Sequence, residues 1–363
     1  MSNTKDAKDV LAEQSEHIDA KKQHEVDALV RNLRGKIKEK DKSYHAALAD
    51  LEMAHDQLEA LGAVRDRVPD IEPIEPLLSS GHGEALAVGI LSDVHPSVRI
   101  RPETVGGKNE HNLTISKWRQ QEFFRGFCRL VDIERSGQNV PRALIFLGGD
   151  ITGNMIHDEL KETNLLTPQE EVLFELDRIE EGLIFLQKHG GFKDITVVCS
   201  HGNHDRDTKE KQFENHAEHS LTWTLYHVLE RDFDLRNEAN KGVKGYSPVK
   251  FEIAQGYLTV KEIYGRKVRF HHGDAIKYSG GVGGPTIAIN KALDKWNMLE
   301  HVDLDLFGHM HWSMSDQRFF CNGSVCGYSS YALHNKYPFE VPRQWFLLLD
   351  KKRWITSQRY IYL

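Results

Sequence analysis

The stretch Ala143-Leu-Ile-Phe-Leu-Gly-Gly-Asp150 joins five apolar residues to two glycines and an aspartate. Five apolar residues in a row are the length of a buried β-strand. The glycines allow the backbone to approach closely where the carboxylate follows. The stretch therefore predicts a buried strand with a reactive polar side chain at its carboxyl end.

Four more segments share this form, and helical patterns such as Lys117–Val131 and Pro168–His189 lie between them. Alternating strands and helices predict an α/β fold, in which a site forms where the carboxyl ends of the strands meet. The alternating segments Trp345–Leu349 and Trp354–Tyr362 predict a closing hairpin. The four segments are Leu86–Leu91 before Asp93-x-His95, Ile195–Cys199 before Gly202-Asn203-His204-Asp205, Val268–His271 before His272-Gly273, and Leu304–Phe307 before Gly308-His309-x-His311.

The first 68 residues differ from the rest, with no proline and only two glycines, Gly35 and Gly62. From Val30 onward, apolar residues recur at heptad spacing, which predicts either a coiled coil or helical hairpin that drives homo-oligomer formation, or a solvated helical arm. Residues 69–84 contain Pro69, Pro73 and Pro76 and predict a linker. The predicted domains are thus an arm (1–68), a linker (69–84) and a catalytic domain (85–363).

The composition describes a protein without a membrane segment. Of 363 residues, 39% are hydrophobic, and no run reaches the roughly 18 apolar residues that a membrane helix needs. The four cysteines show no C-x-x-C spacing, which favours reduced thiols in the cytoplasm. The net charge of −7 argues against a generally basic nucleic-acid binder. Six basic residues between Arg31 and Lys42 leave open a local DNA contact or a solvated helix face.

The polar clusters have the chemistry of a metal site. Imidazole, carboxylate and amide groups suit Mn, Fe or Zn, and no cysteine lies within the clusters. Two cations about 3.5–4 Å apart need a bridging carboxylate and can activate a water while clamping a phosphoryl group. Each cluster alone is weak, and separate turn residues are the alternative interpretation; five clusters in this order at strand ends favour one shared site.

In this order the clusters resemble the calcineurin-like metallophosphoesterase superfamily over roughly residues 85–312. The resemblance implies a four-layer α/β/β/α sandwich, here preceded by the helical arm. It also implies two divalent metal ions, with Mn²⁺ as the first expectation and Fe or Zn as alternatives. The implied ligands are Asp93, His95 and His311 for one ion, Asn203, His272 and His309 for the other, and Asp150 as the bridge.

The resemblance implies in-line attack on phosphorus by a hydroxide that bridges the metals, with His204 as the general acid. Arg206 is a candidate phosphate contact, although it could equally pair with Asp205 or Asp207. Arg119, on the helix after the first motif, is a second candidate. His271 is expected to be a core or supporting residue.

A closer resemblance is to uncharacterised metallophosphoesterases encoded by phages and prophages, which often carry a charged helical N-terminus. It rests on Asn109-Glu-His-Asn-Leu, Gly149-Asp-Ile-x-Gly-Asn-x-Ile-His157-Asp-Glu, His272-Gly-Asp and Asn322-Gly-Ser-Val-Cys-Gly-Tyr328.

Three classes of function remain open. The Gly149-Asp-Ile-Thr-Gly-Asn154 block and Asp205 depart from the pattern of Ser/Thr protein phosphatases. Gly-Gly-Asp and Gly-Asn-His-Asp resemble the repair exonucleases but also suit small phosphodiesterases. The first expectation is a phosphodiesterase that acts on DNA as a nuclease. The alternatives are a small-molecule phosphodiesterase or phosphatase, with cyclic nucleotides first, and a non-catalytic partner-binding protein on the same fold.

Overall fold

A computed structural model describes residues 7–65, 83–156, 158–278, 280 and 284–363. The chain divides into two compact units, Met1–Glu75 and Pro76–Leu363. In the first unit, helix α1 spans Ala7–Arg65, and its side chains from residue 21 to 56 are exposed. The arm is therefore helical, as predicted. Most of the linker lies outside the described residues, so the predicted domain boundaries stay a prediction.

The second unit alternates strands and helices along most of its length. Its strands are β1 (Glu84–Leu91), β2 (Asn139–Leu147), β3 (Asp194–Cys199), β4 (Val249–Ile253), β5 (Thr259–Ile263), β6 (Arg266–Phe270), β7 (Leu304–Phe307), β8 (Met314–Ser315), β9 (Phe319–Cys321), β10 (Arg343–Asp350) and β11 (Trp354–Tyr362). Its α-helices are α2 (Leu113–Arg135), α3 (Asp158–Thr163), α4 (Pro168–His189), α5 (Leu221–Ala239), α6 (Thr286–Asn297) and α7 (Ser330–His334). Among the described helices, none is long and apolar enough to cross a bilayer.

The strands form two mixed sheets. The first has the order β11-β10-β1-β2-β3-β4, in which β1 to β4 run parallel and β10 lies antiparallel to β1. The second has the order β5-β6-β7-β9-β8, in which β6, β7 and β9 run parallel. The predicted C-terminal hairpin is confirmed as β10 and β11.

Alternation along β1 shows how the layers stack. Ala87 and Leu91 face one core, which they share with residues of α2, α4 and α5. Val88 and Ile90 face the opposite way, into a second core built with Phe270 and other residues of the second sheet. Helix α6 covers the outer face of that second sheet through a third cluster. The resulting order of helices, sheet, sheet and helix is the predicted four-layer α/β/β/α sandwich.

Helix α4 shows why the sequence places a helix at Pro168–His189. Thr167 and Glu170 form a capping box, in which each side chain satisfies a backbone N–H at the helix start. Pro168 occupies the first helical position, where its missing N–H costs no hydrogen bond. Both signals are local, so the predicted bounds are confirmed at this helix.

Glu175 of α4 is a buried carboxyl with one hydrogen-bond partner, Gln120 of α2, whose amide donates to Oε1 at 2.8 Å. Burial raises the pKa of Glu175 to about 8 despite this bond. Since the folded pKa lies above the unfolded value, the folded state holds the extra proton, and stability falls as the pH rises from about 4.5 to 8.

Glu175→Gln removes this penalty, because the amide has no proton to lose. We expect the free energy of unfolding of the variant to exceed that of the wild type by an amount that grows from pH 5 to pH 8. At pH 8 the difference should be roughly 3 kcal/mol. Urea denaturation at both pH values measures the difference. Glu181→Gln, on the exposed side of the same helix, is the control; equal behaviour of the two variants would contradict the prediction.

Candidate metal centre

The carboxyl ends of five strands, β1, β2, β3, β6 and β7, bring the predicted ligands together. In each of two groups of buried or half-buried side chains, the ligand atoms lie within 4.8 Å of one another. Asp150 belongs to both groups, so its carboxylate lies between them. The first group is Asp93, His95, Asp150 and His311, and the second is Asp150, His272 and His309.

The backbone at these positions is strained in a consistent way. Five of the seven predicted ligands have a positive φ, a left-handed backbone conformation that residues other than glycine rarely adopt. Each such residue costs of order 1 kcal/mol and persists only where the surrounding structure imposes it. Strain of this kind clusters at functional sites. The five are Asp93 (53°), His95 (44°), Asp150 (50°), His309 (69°) and His311 (52°).

His272 and Asp150 meet in a way that calls for a positive charge between them. His272 Nδ1 lies 2.8 Å from the Gly148 carbonyl, which only accepts, so Nδ1 carries the hydrogen. The other ring nitrogen, Nε2, then presents a lone pair to Asp150 Oδ2 at 3.1 Å. Either a proton or a metal ion must lie between the two. Burial lowers the pKa of His272, but Asp150 outweighs it and raises that pKa to about 10.

The first group has the same character. The Nε2 atoms of His95 and His311 lie 3.1 Å apart, and His311 Nε2 lies 3.4 Å from Asp93 Oδ1. Burial holds the pKa of His95 well below its usual range, whereas for His311 the Asp93 carboxylate outweighs burial and raises the pKa well above it. In the second group, burial lowers the pKa of His309 to about 4. A cation beside the carboxylates would take the place of the protons that they favour on His311 and His272. Neutral imidazoles are the form that binds metals. These donors therefore fit two adjacent divalent cations.

Asn203 adds an oxygen donor beside the second group. It is buried, and its Oδ1 has no hydrogen-bond partner. A buried amide oxygen without a partner is costly unless a cation or donor satisfies it. The neighbouring His204 N–H donates to Asp150 Oδ1 at 2.7 Å, which places this loop against the shared carboxylate. Asn203 thus fits the proposed role of a ligand.

Asp205 fixes the loop that carries Asp150. Its carboxylate accepts the backbone N–H groups of Asp150 at 2.9 Å, Gly202 at 2.7 Å and Thr152 at 3.0 Å. Burial, reinforced by the Asp150 charge, raises the pKa of Asp205 to about 6. The sequence marks Asp205 only as the end of a motif. The structure assigns it a role in holding two ligand loops together.

A buried polar network under Asp93 also escapes prediction from the sequence. The Ser92 hydroxyl donates to Asp93 Oδ2 at 2.5 Å and accepts from the Asn322 amide at 3.0 Å. The Asn322 amide also donates to Gln344 Oε1, which accepts from the Ser92 N–H. Second partners of this kind orient a ligand carboxylate. Only the fold brings these residues together.

His204 lies at the edge of the first group, with its ring 4.9 Å from that of His95. Its Nδ1 lies 3.0 Å from the Gly153 carbonyl, which only accepts, so Nδ1 is the donor in this bond. The N–H of the same peptide, from Asn154, donates to Glu171 Oε2 at 2.7 Å, as does the Gly153 N–H at 3.1 Å, and the Ser97 hydroxyl donates to the other oxygen of Glu171. Glu171 therefore helps to fix the peptide that orients His204.

The two predicted phosphate contacts are engaged elsewhere. The Arg206 guanidinium donates to the carbonyls of Asn203, Thr208 and Lys209 within its own loop.

Arg119 is buried and donates to Asn109 Oδ1 and to the Val325 and Cys326 carbonyls. These bonds assign it a packing role and give no support to a substrate contact.

His271 lies in the core, as expected. It stacks on Phe307 with a ring distance of 4.9 Å, and its Nε2 lies 3.4 Å from Asp305.

No family model and no curated protein sequence matches this chain. Solved structures do match. A hypothetical protein from Pyrococcus horikoshii OT3 has 13% identity and a TM-score of 0.36, and the alignment covers 77% of this chain and 88% of that one. A Streptococcus pneumoniae TIGR4 protein described as a "predicted phosphoesterase" has 14% identity and a TM-score of 0.29, with 77% and 98% covered.

Vps29 from Entamoeba histolytica, solved in a complex with zinc, has 15% identity and a TM-score of 0.29, with 76% and 96% covered. At such identities and TM-scores these likenesses carry no argument about function. The fold assignment therefore rests on the sheets and layers of the chain itself, and the argument about function on its site.

Proposed function

We propose that this protein is a divalent-cation-dependent phosphodiesterase. The observation that carries the proposal is the pair of His/Asp groups that share the buried carboxylate of Asp150. A shared carboxylate between two sets of nitrogen and oxygen donors is the arrangement that two-metal hydrolysis of phosphoesters requires. The strained backbone of the ligands supports a functional rather than a structural origin.

Asp93, His95 and His311 would hold one cation, Asn203, His272 and His309 the other, and Asp150 both. Bound there, the cations would lower the pKa of a water molecule and neutralise charge on a phosphoryl oxygen. His204 would donate a proton from Nε2 to the leaving oxygen, since its Nδ1 is fixed on the Gly153 carbonyl. Asp205 and Glu171 would hold the loops in the required geometry.

Within this class, we infer DNA as the first candidate substrate. The loop after His204 carries Lys209 and Lys211, and Lys211 pairs with Asp274, two residues after His272. Positive side chains at the margin of the site suit a polymeric phosphate. The exposed basic residues between Arg31 and Lys42 add a second positive surface on the arm. The net charge of −7, by contrast, favours a small phosphodiester over DNA as the substrate.

A substrate panel tests the proposal. After chelation, the protein is assayed with and without Mn²⁺ on bis-(p-nitrophenyl) phosphate, the corresponding monoester, a cyclic nucleotide, and labelled single- and double-stranded DNA. Mn²⁺-dependent cleavage of DNA, weakened by rising salt, supports the nuclease. Diester cleavage that spares DNA moves the function to small phosphodiesters. No turnover on any substrate contradicts the enzyme and favours a partner-binding protein.

His204→Ala tests the general acid. We expect turnover of an alkyl diester or DNA to fall roughly 100-fold or more, because these leaving groups need a proton. Turnover of bis-(p-nitrophenyl) phosphate should change only a few-fold, since nitrophenolate leaves without one. The exposed His301→Ala is the control. An equal loss on both substrates would show that His204 acts by shaping the site rather than by proton donation.

A further inference from the structure

Helix α1 is long, and its side chains from residue 21 to 56 face water. Its 59 residues rise 1.5 Å each and span roughly 90 Å. Apolar side chains along it are largely exposed, including Val26 at 51%, Leu33 at 49%, Ile37 at 59% and Leu51 at 68%. Most helical stability in proteins comes from packing an apolar face against a partner. We therefore expect the exposed apolar face of α1 to pack against a partner.

The apolar residues form a seam with the spacing of a coiled coil. The two core positions of the heptad alternate at intervals of three and four residues. Lys40 interrupts the seam at one core position, and a polar residue there specifies register at some cost in stability. The seam within the described side chains is Val26, Val30, Leu33, Ile37, Lys40, Tyr44, Ala47, Leu51 and Ala54.

The charges that flank this seam identify the occupant. In a parallel, in-register pair, each position that precedes the seam faces the partner position five residues further along. Across the described side chains, this rule pairs Lys22 with Asp27, Lys36 with Asp41, and Asp50 with His55. Each of these three pairs joins a basic residue to an acidic one. In an antiparallel pair, positions that precede the seam face the positions that precede it on the partner helix. The five-residue spacing then does not bring the opposite charges together.

We propose that α1 binds the α1 of a second copy of this chain as a parallel, in-register coiled coil. The dimer places the carboxyl ends of both arms side by side. The proposal rests on the arm alone and stands whether or not the catalytic proposal holds.

Single cysteines test the register in the full-length protein. The four native cysteines are buried, so background cross-linking is low. Ala47 and Ala54 lie in the seam, whereas Ala49 lies on the opposite side of the helix. We expect Ala47→Cys and Ala54→Cys each to form a disulfide-linked dimer under mild oxidation, and Ala49→Cys to stay monomeric on a non-reducing gel. In an antiparallel pair, a residue faces its own copy only at the two-fold axis, so at most one of these two positions could form a disulfide with itself. Cross-linking at both positions therefore excludes the antiparallel arrangement.

Charge reversal tests the pairing independently. Lys36→Glu places like charges opposite each other at both symmetric contacts and should weaken the dimer several-fold in sedimentation equilibrium. The double variant Lys36→Glu with Asp41→Lys restores opposite charges and should restore the dimer. A wild-type monomer, cross-linking of Ala49→Cys equal to that of Ala47→Cys, or a double variant as weak as the single one would each overturn the proposal.

Discussion

Asp150→Asn should reduce cation-dependent phosphodiester hydrolysis roughly 1,000-fold while leaving the fold intact. Asp150 is shared by both groups of candidate ligands, so the variant removes one negative charge from each. The amide oxygen can still accept the His204 N–H that Asp150 Oδ1 accepts at 2.7 Å. The amide nitrogen can donate to His272 Nε2, which faces Asp150 Oδ2 at 3.1 Å. The fold therefore loses little when the carboxylate is replaced.

Cation binding provides a second measurement. A ligand that binds only the folded state raises the melting temperature. The wild type should therefore melt at a higher temperature in Mn²⁺, and Asp150→Asn should show little of this increase. Elemental analysis after dialysis should find less bound metal in the variant. Asp177→Asn, at an exposed position of α4, is the control. An unchanged metal content and rate in Asp150→Asn would contradict the shared site.

Among substitutions that add a single methyl group to the site, Gly202→Ala should cause the largest loss of stability and of cation binding. A Cβ at position 202 would lie 2.1 Å from Asp150 Oδ1 and 2.2 Å from the Asp150 backbone nitrogen. The Asp150 loop cannot move aside, because Asp205 holds its backbone N–H and that of Gly202 together. We expect a loss of roughly 3 kcal/mol in the free energy of unfolding, together with loss of cation binding.

Urea denaturation and metal titration of Gly202→Ala measure the two effects. Gly256→Ala is a matched control, because a Cβ there would meet nothing within 4 Å and its backbone is not left-handed. A Gly202→Ala protein that binds Mn²⁺ as tightly as the wild type would show that the two loops can separate without loss of the site.

The sequence predicts what is coded locally. The run Leu304–Phe307 is a strand with the predicted bounds, because an apolar run between polar turns leaves few other conformations. The strands β4 and β5 are not among those predicted from the apolar runs, although Val249, Phe251 and Ile253 of β4 alternate with polar residues at the period of two that indicates a half-buried strand. β5 forms a hairpin with its neighbour β6, whereas β4 pairs with β3 some fifty residues earlier, a pairing that local pattern does not reveal.

The candidate site shows the same division. Motif residues such as Asp93 and Asp150 stand at strand ends, where the topology itself brings them together. Ser92, Asn322 and Gln344 look like ordinary polar residues in the sequence, because nothing local indicates that they meet beneath Asp93. Arg119 had the right charge for a phosphate contact, but its direction depends on how α2 packs.

The position of the last ligands along the chain constrains biosynthesis. His311 lies 216 residues after His95, whose ring it faces, and β10 must still arrive to pair with β1 from Ala85 to Gly89. A nascent chain that has not yet reached His309 lacks a member of each ligand group. The two groups of candidate ligands therefore cannot be completed in the order of the motifs along the chain; His309 completes one group and His311, two residues later, completes the other.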